Sequence, residues 1–369
     1  MTNSTADSIQ ETRRAFDAFL AQDEKDPASA GGLLNEAFNK IERALEETLT
    51  RELAHLAHDI YGYKGRVGWE KRVQLHRRYL KSDLDVDERY WSHWEMADAL
   101  AALKRNQETI EEMKRLYRWA SAASPHHYAL TALSDTSQAA CWAAEGRLDE
   151  WLQLYEEAGR ELNSPEASRN ARCIFLQSWM EVCRANGMLD DALRRQAALE
   201  QANDDPDWSG YFEFWLACVS NRLIIYGRRE EWDLFSETEK EARAYIEAEL
   251  QKRSAGEPVD ISQLWWACHD IGCCIILGTE QYRKAAYFLE KATEVEDAGD
   301  IAHAGTHLFL AAAVLAGEKD RGKALHHLKK ARNTSINQNP DMVAERFLEM
   351  PMFAGVRDDA EFRAAAGLQ

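Results

Sequence analysis

Residues 142–158 read WAAEGRLDEWLQLYEEA. After the turn, Leu148, Trp151, Leu152, Tyr155 and Ala158 recur at steps of three and four. That spacing is one stripe of an α-helix and not the alternation of a strand. Gly146 stands where the preceding helix must stop, a position that favours glycine because its backbone turns left-handed. Asp149 and Glu150 follow at once and complement the positive end of the next helix. The stretch reads as helix, turn, helix.

The same design recurs on both sides. It appears in AALKRNQETIEEM (101–113), CRANGMLDDALRRQAAL (183–199), IIYGRREEWDLF (224–235), LGTEQYRKAAYFLEKA (277–292) and LAGEKDRGKALHHLKKA (315–331). The residue packed near the start of each second helix serves as a register mark: Thr109, Trp151, Ala192, Trp232, Ala285 and Ala324. The marks are roughly 42, 41, 40, 53 and 39 residues apart, the period of two-helix repeats. Gly187 and Gly227 are read as turn glycines in the manner of Gly146. About three turns before most marks stands a small residue, Ala97, Ala139, Ser220, Cys273 or Ala312, with Met180 in that place in one repeat. Small side chains there let neighbouring helices approach closely.

A small residue, a large one three further on, a glycine-containing turn, then Ala and an aromatic or Leu: this pattern resembles the tetratricopeptide repeat. The resemblance runs over residues 96–123, 138–160, 272–293 and 311–332. The repeats are longer than the family's usual 34 or so residues, and in this they are similar to the long-helix variants of bacterial regulators and scaffolds. It implies an all-α fold, a right-handed α-solenoid of about six or seven antiparallel helix pairs, each touching only its neighbours. Residues 1–32 are expected to form a short helix and a polar linker, 33–338 the repeat array, and 339–369 a cap in which Pro351 breaks a helix and Phe353 and Phe362 cover the last repeat. Residues 33–60 read as one long helix, with Trp69 to Leu80 its partner, and Ser254 to Asp260 as an exposed loop.

Composition narrows the function. The chain has 369 residues and a formal net charge of −18. So negative a surface repels phosphate backbones, so no nucleic acid is expected as partner. The N-terminal MTNSTADSIQETRRAF has no apolar core, and the longest apolar runs, such as Cys273 to Leu277, are far too short for a bilayer. No membrane partner and a cytoplasmic location are therefore expected. The seven cysteines fall inside helical apolar patterns and read as small buried hydrophobes. Among the tryptophans, Trp142, Trp151, Trp179 and Trp232 lie on packing stripes, whereas Trp91, Trp94, Trp265 and Trp266 open first helices and are expected to be partly exposed.

Chemical motifs reduce to bland readings. GEKDRGKA (317–324) imitates a phosphate loop, but Ala324 replaces the magnesium-binding hydroxyl and a helix precedes it where a strand is needed. His303 and His307 lie four apart, near Cys268, His269 and Cys273, yet the cysteines have core spacing and no full ligand set emerges. No cofactor, no metal and no catalytic constellation is read, so the chain is not expected to be an enzyme. Two basic clusters, Lys64 to Lys81 and Lys319 to Arg332, read as solvated helix faces, with a docking patch for an acidic partner as the alternative.

What remains is binding. The resemblance implies a concave surface lined by the first helices, and a cytoplasmic protein- or peptide-binding scaffold or adaptor. The alternatives are a signalling-peptide receptor that switches a partner protein, or an enzyme with its site in the groove. Aligning the repeats puts Trp91, Trp94, Asp98, Thr136, Gln177, Glu181, Arg184, Asn221, Asp270 and Thr306 on the groove stripe. Gln177 and Asn221 would pair with an extended peptide backbone. Arg184 would hold a carboxylate in a two-pronged contact, and Trp91 and Trp94 would anchor an apolar side chain.

Overall fold

The structure, a computed structural model, describes residues 3–23, 25–122, 130–133, 136–164, 167–206, 208–299, 303–335 and 341–368, without the side chains of 3–5, 27–28, 136–137 and 297–299. Among the described residues every regular element is helical, and helices pack on their neighbours in sequence. Two compact units divide the chain, one running to Val182 and the other from Cys183. No helix among the described residues is long and apolar enough to cross a membrane.

The first unit holds α1 (Asn3–Asp23), α2 (Pro27–Glu47), α3 (Arg51–Gly62), α4 (Gly65–Tyr79), α5 (Val86–Ala102), α6 (Asn106–Ala122), α7 (Thr136–Ala144) and α8 (Leu148–Ala158). Helix α9 (Arg169–Ala185) follows a 3-10 turn at Gly159–Asn163, and its residues from Cys183 on belong to the second unit. The N-terminal segment corrects the expectation of a short helix and a polar linker. Helix α1 is 21 residues long and α2 starts at Pro27, whose fixed φ suits a first helical turn. Phe16 and Phe19 bury the α1 face against α2 and α3, both with edge-on contacts to Tyr63. Nor is 33–60 one helix. Thr48 is extended (φ −155°, ψ 161°), and the Thr50 hydroxyl accepts from the Leu53 N–H, capping a new helix at Arg51.

The second unit holds α10 (Leu189–Ala202), α11 (Tyr211–Arg228), α12 (Trp232–Ser254), α13 (Ile261–Gly278), α14 (Tyr282–Gly299), α15 (Ala304–Gly317), α16 (Arg321–Ser335), α17 (Met342–Glu349) and α18 (Ala360–Ala366). A loop with Gly256 at φ +77° separates α12 from α13, inside the expected 254–260. Pro351 opens a 3-10 turn, and Phe353 and Phe362 are fully buried in the core that also holds Leu328 and Ala331 of α16.

One backbone turn recurs in both units. Lys104, Gly146, Gly187 and Glu230 are left-handed, at φ +58°, +66°, +77° and +58°. The N–H after each bonds to the carbonyl five residues before it: Arg105 to Leu100, Arg147 to Trp142, Met188 to Cys183 and Glu231 to Tyr226, at 2.8–2.9 Å. This is the Schellman closure of a helix C-terminus. The four turns are about 42 residues apart. Lys319 is also left-handed, at φ +59°. Five residues after each left-handed residue comes a buried side chain: Thr109, Trp151, Ala192, Phe235 and Ala324.

That rule corrects one register mark. Trp232, expected in the core, is 43% exposed, and Phe235 takes its place at 1%. The error came from reading Gly227 as the turn. Gly227 is still helical, and a Cβ there would lie 2.8 Å from the Gly278 carbonyl oxygen and closer still to Thr279. Gly278 in turn leaves no room for a Cβ against Ile224 Cα. These glycines permit backbone contact between α11 and α13, and the left-handed turn falls to Glu230.

Candidate functional site

Asp85 caps α5 by accepting from the Glu88 N–H at 2.8 Å. The helix then presents Glu88, Trp91, Ser92 and Glu95 to α3 and α4. His55 lies flat on the Trp91 ring, centroids 4.0 Å apart and 12° between planes. His58, His76 and Tyr79 meet the same ring edge-on at 5.3, 4.8 and 6.3 Å. Glu88 is buried and bonded by Arg51 at 2.7 Å, His55 at 3.1 Å and the Tyr79 hydroxyl at 2.8 Å.

Beneath Trp91 runs a chain of hydrogen bonds. His58 Nε2 lies 3.4 Å from Glu95, His58 Nδ1 lies 3.2 Å from His76 Nε2, and His76 Nδ1 lies 3.0 Å from the Ser92 hydroxyl. Burial, then the Arg72 and His55 charges, pull His58 down to about 3, and burial takes His76 well below its ordinary value. Both imidazoles are thus neutral near pH 7, which fixes the direction of every bond. His58 Nε2–H donates to the Glu95 carboxylate, His76 Nε2–H donates to His58 Nδ1, and the Ser92 O–H donates to His76 Nδ1. The relay ties α3, α4 and α5 together.

The second unit contains a related cluster. The Trp265 indole N–H donates to Glu296 at 2.9 Å, and its ring stacks on His269 at 5.1 Å and 9°. His307 lies 3.4 Å from Glu296 and 3.2 Å from His327, while Thr306 Oγ lies 3.1 Å from His269 Nδ1. Burial holds His269 and His307 near 3 and His327 near 4. Trp265, expected to be partly exposed, is therefore core at 3%, whereas Trp266 is 44% exposed. Among the described residues no group of three or more ligand-type side chains is arranged to hold a metal ion.

The residues read as a groove stripe do not share one environment. Trp91 and Trp94 are half-buried, the first committed to the histidines and the second packed beside Leu116 and Ala120. Asp98, half-buried, supports the charge of Arg72 together with Glu95 and Asp59. Gln177 donates to Glu181 at 3.1 Å along α9, where Arg184 is also half-buried. Asp270 is half-buried on α13. The side chain of Thr136 lies outside the described residues. Asn221 and Thr306 are corrections: both are fully buried. Asn221 moved off the stripe because the mark at Trp232 was three residues early, and Thr306 is drawn inward by His269.

Most of the first basic cluster is engaged by its own unit. Lys71 pairs with Glu42, Arg77 with Glu108 at 2.7 Å, Arg78 with the Leu45 carbonyl at 2.6 Å, and Arg72 with the His58 carbonyl at 3.0 Å. In the second, Lys323 reaches Glu290 and Glu318, and Arg321 reaches Asp359 at 2.5 Å. GEKDRGKA is the turn between α15 and α16.

An open cavity of about 590 Å³ was not anticipated from the sequence. Its walls come from the loop before α11 and from α11, α12 and α13, and they carry Trp208, Phe212, Trp215, Tyr245, Glu241 and Gln263. Aromatic residues at 208, 211, 212 and 215 were the available signal. They were passed over because the repeat alignment looks three turns before each mark and not at the interhelix loop.

No protein-family model matches the chain, and no curated protein matches it. Among solved structures, a monomeric mutant of IFIT1 with Gppp-AAAA is similar over 95% of this chain and 75% of that one, at 14% identity and a TM-score of 0.30. A likeness so distant carries no argument about function.

Proposed function

We propose that this chain is a repeat scaffold of tetratricopeptide type that binds a protein or peptide and has no enzymatic activity of its own. The recurrent left-handed turn, with a buried side chain five residues later, carries the reading. Within each unit it makes successive helix pairs equivalent, and equivalent pairs stacked with a right-handed sense would leave the first helices of that unit lining a common surface. Half-buried polar residues on first helices would meet a partner, Asp98 and Gln177 in the first unit, Arg184 and Asp270 in the second. Groups of catalytic type have structural work instead: the histidines beneath Trp91 link three helices, and all seven cysteines are buried. Cysteines used as small buried core residues fit a reducing compartment, and we propose a cytoplasmic location.

Selection of a displayed random-peptide library on the purified chain tests this. Enrichment of a related set of peptides is expected, with at least tenfold weaker capture by the Gln177→Ala, Arg184→Ala, Asp270→Ala triple variant at an unchanged melting temperature. No enrichment over an unrelated helical control, or full capture by the triple variant, defeats the reading.

A further inference from the structure

The aromatic cavity of the second unit has a chemistry distinct from the polar stripe. Phe212, Trp215 and Tyr245 form a mutual cluster, with centroids 5.9 Å (Phe212–Trp215), 5.5 Å (Phe212–Tyr245) and 4.8 Å (Trp215–Tyr245) apart. All three are only half-buried, so ring faces remain open to the cavity. Tyr211 and Trp208 extend the wall, and Trp208 is set by its stack on the buried Phe214 at 5.6 Å and 9°. Gly210 makes that placement possible: a Cβ there would come within 2.7 Å of the Trp208 ring. The loop is fixed from below by Asn203, which donates to the Tyr211 carbonyl at 3.0 Å. The wall is thus held in place without a ligand.

Electrostatics select what enters. Glu241 lines the cavity and accepts from the Trp215 indole N–H at 3.0 Å and from Arg222 at 2.9 and 3.0 Å. A carboxylate has about four acceptor positions, so one remains. Burial first, then the charges of Glu249 and Asp260, push the Tyr245 hydroxyl up to about 12, so it stays protonated near neutral pH. Aromatic faces are themselves electron-rich and attract cations. The open ring faces therefore favour a cation over an anion, and a neutral apolar ligand leaves the polar groups of Glu241 and Gln263 unused.

We propose that this cavity binds the guanidinium of an arginine side chain presented by a partner peptide. This rests on the peptide-binding reading above and names one side chain such a peptide must carry. Guanidinium is favoured over ammonium because it is planar and stacks on rings while its N–H groups reach a carboxylate. The chain already makes this contact elsewhere on α12: the Arg243 guanidinium lies 4.1 Å over the Tyr287 ring and pairs with Glu239 at 2.8 Å. At about 590 Å³ the cavity is of a size that encloses a side chain of this length.

Protein labelled with 5-fluorotryptophan, with the Trp208 and Trp215 signals assigned by Trp208→Phe and Trp215→Phe, reads occupancy by fluorine NMR. Acetyl-arginine N-methylamide should shift both signals saturably. The citrulline analogue, equal in shape and uncharged, should bind at least tenfold more weakly. Tyr245→Phe should retain binding within about twofold, and Tyr245→Leu should lose it. Equal binding of citrulline, absence of saturation, or binding of choline without binding of the arginine probe overturns the proposal. The first comparison uses the unaltered protein, so it stands even where a variant misfolds. Should library peptides be captured while the arginine probe fails, the scaffold reading survives and this inference falls; capture failing while the probe binds has the opposite meaning.

Discussion

Asn221 of α11 donates its side-chain N–H to the side-chain oxygen of Gln196 on α10, at 2.8 Å, with both amides buried. Gln196 passes the bond on by donating to Glu200 at 2.9 Å. Replacing one member strands the other in the core, and a buried polar group without its partner costs about 1–3 kcal/mol. Asn221→Leu should lower the unfolding free energy by that amount in a urea titration. The double variant with Gln196→Leu should lose less than the sum of the two single losses. A neutral Asn221→Leu would show that the pair contributes nothing.

Acid should weaken the fold well before the carboxylates titrate. His58, His269 and His307 are held near 3 by burial, against an ordinary value of 6.5. Between those values the unfolded chain binds more protons, so stability rises with pH there, is complete above about pH 6.5, and is lost as pH falls below it. Each fully neutral buried histidine adds a slope of about 1.4 kcal/mol per pH unit. Denaturant midpoints should hold from pH 7.5 to about 6.5 and fall steadily from there to pH 5, and His307→Gln should flatten the decline. A midpoint that holds constant over this range would contradict the buried neutral state.

Glu230 turns left-handed where its counterparts at 146 and 187 are glycine. A non-glycine residue is strained there by roughly 1 kcal/mol. Glu230→Gly should raise the melting temperature, and Gly146→Ala should lower it. An unchanged or lowered melting temperature for Glu230→Gly would mean that the Glu230 side chain offsets the strain.

The thiols should be unreactive in the native protein. All seven are buried, and burial pushes Cys268 up to about 12 and raises Cys183 and Cys273. Thiolate is the reactive form, so labelling by a disulfide reagent at pH 8 should be slow in buffer and reach seven equivalents in guanidinium. Fast labelling of Cys268 or Cys273 without denaturant would place them outside the core.

Helix periodicity was legible because side chains at steps of three and four declare a face whatever they pack against. Thr109, Trp151, Ala192, Ala285 and Ala324 were marked correctly as buried for that reason. Register was harder. Glycine signals both a left-handed turn and a close helix crossing, and Gly227 serves the second purpose. One misassigned glycine moved Trp232 inward and Asn221 outward on paper. The histidine cluster of the first unit was invisible because its members come from separate helices: His55, His58, His76 and Trp91 are unremarkable one at a time. The break at Thr48 was missed because α2 and α3 are both amphipathic, and only the Thr50 hydroxyl, bonded to the Leu53 N–H, marks the new start.

The seam at Gly227 and Gly278 has a mechanical consequence. It joins α11 and α13 near their C-terminal ends, with the Gly227 and Gly278 backbones in close approach and the Thr279 methyl beside them. Their opposite ends carry Trp215 and Gln263 on the cavity wall. The approach is closest at that end, so any widening of the cavity by separation of these two helices would pivot about the glycine seam and be largest at the aromatic mouth.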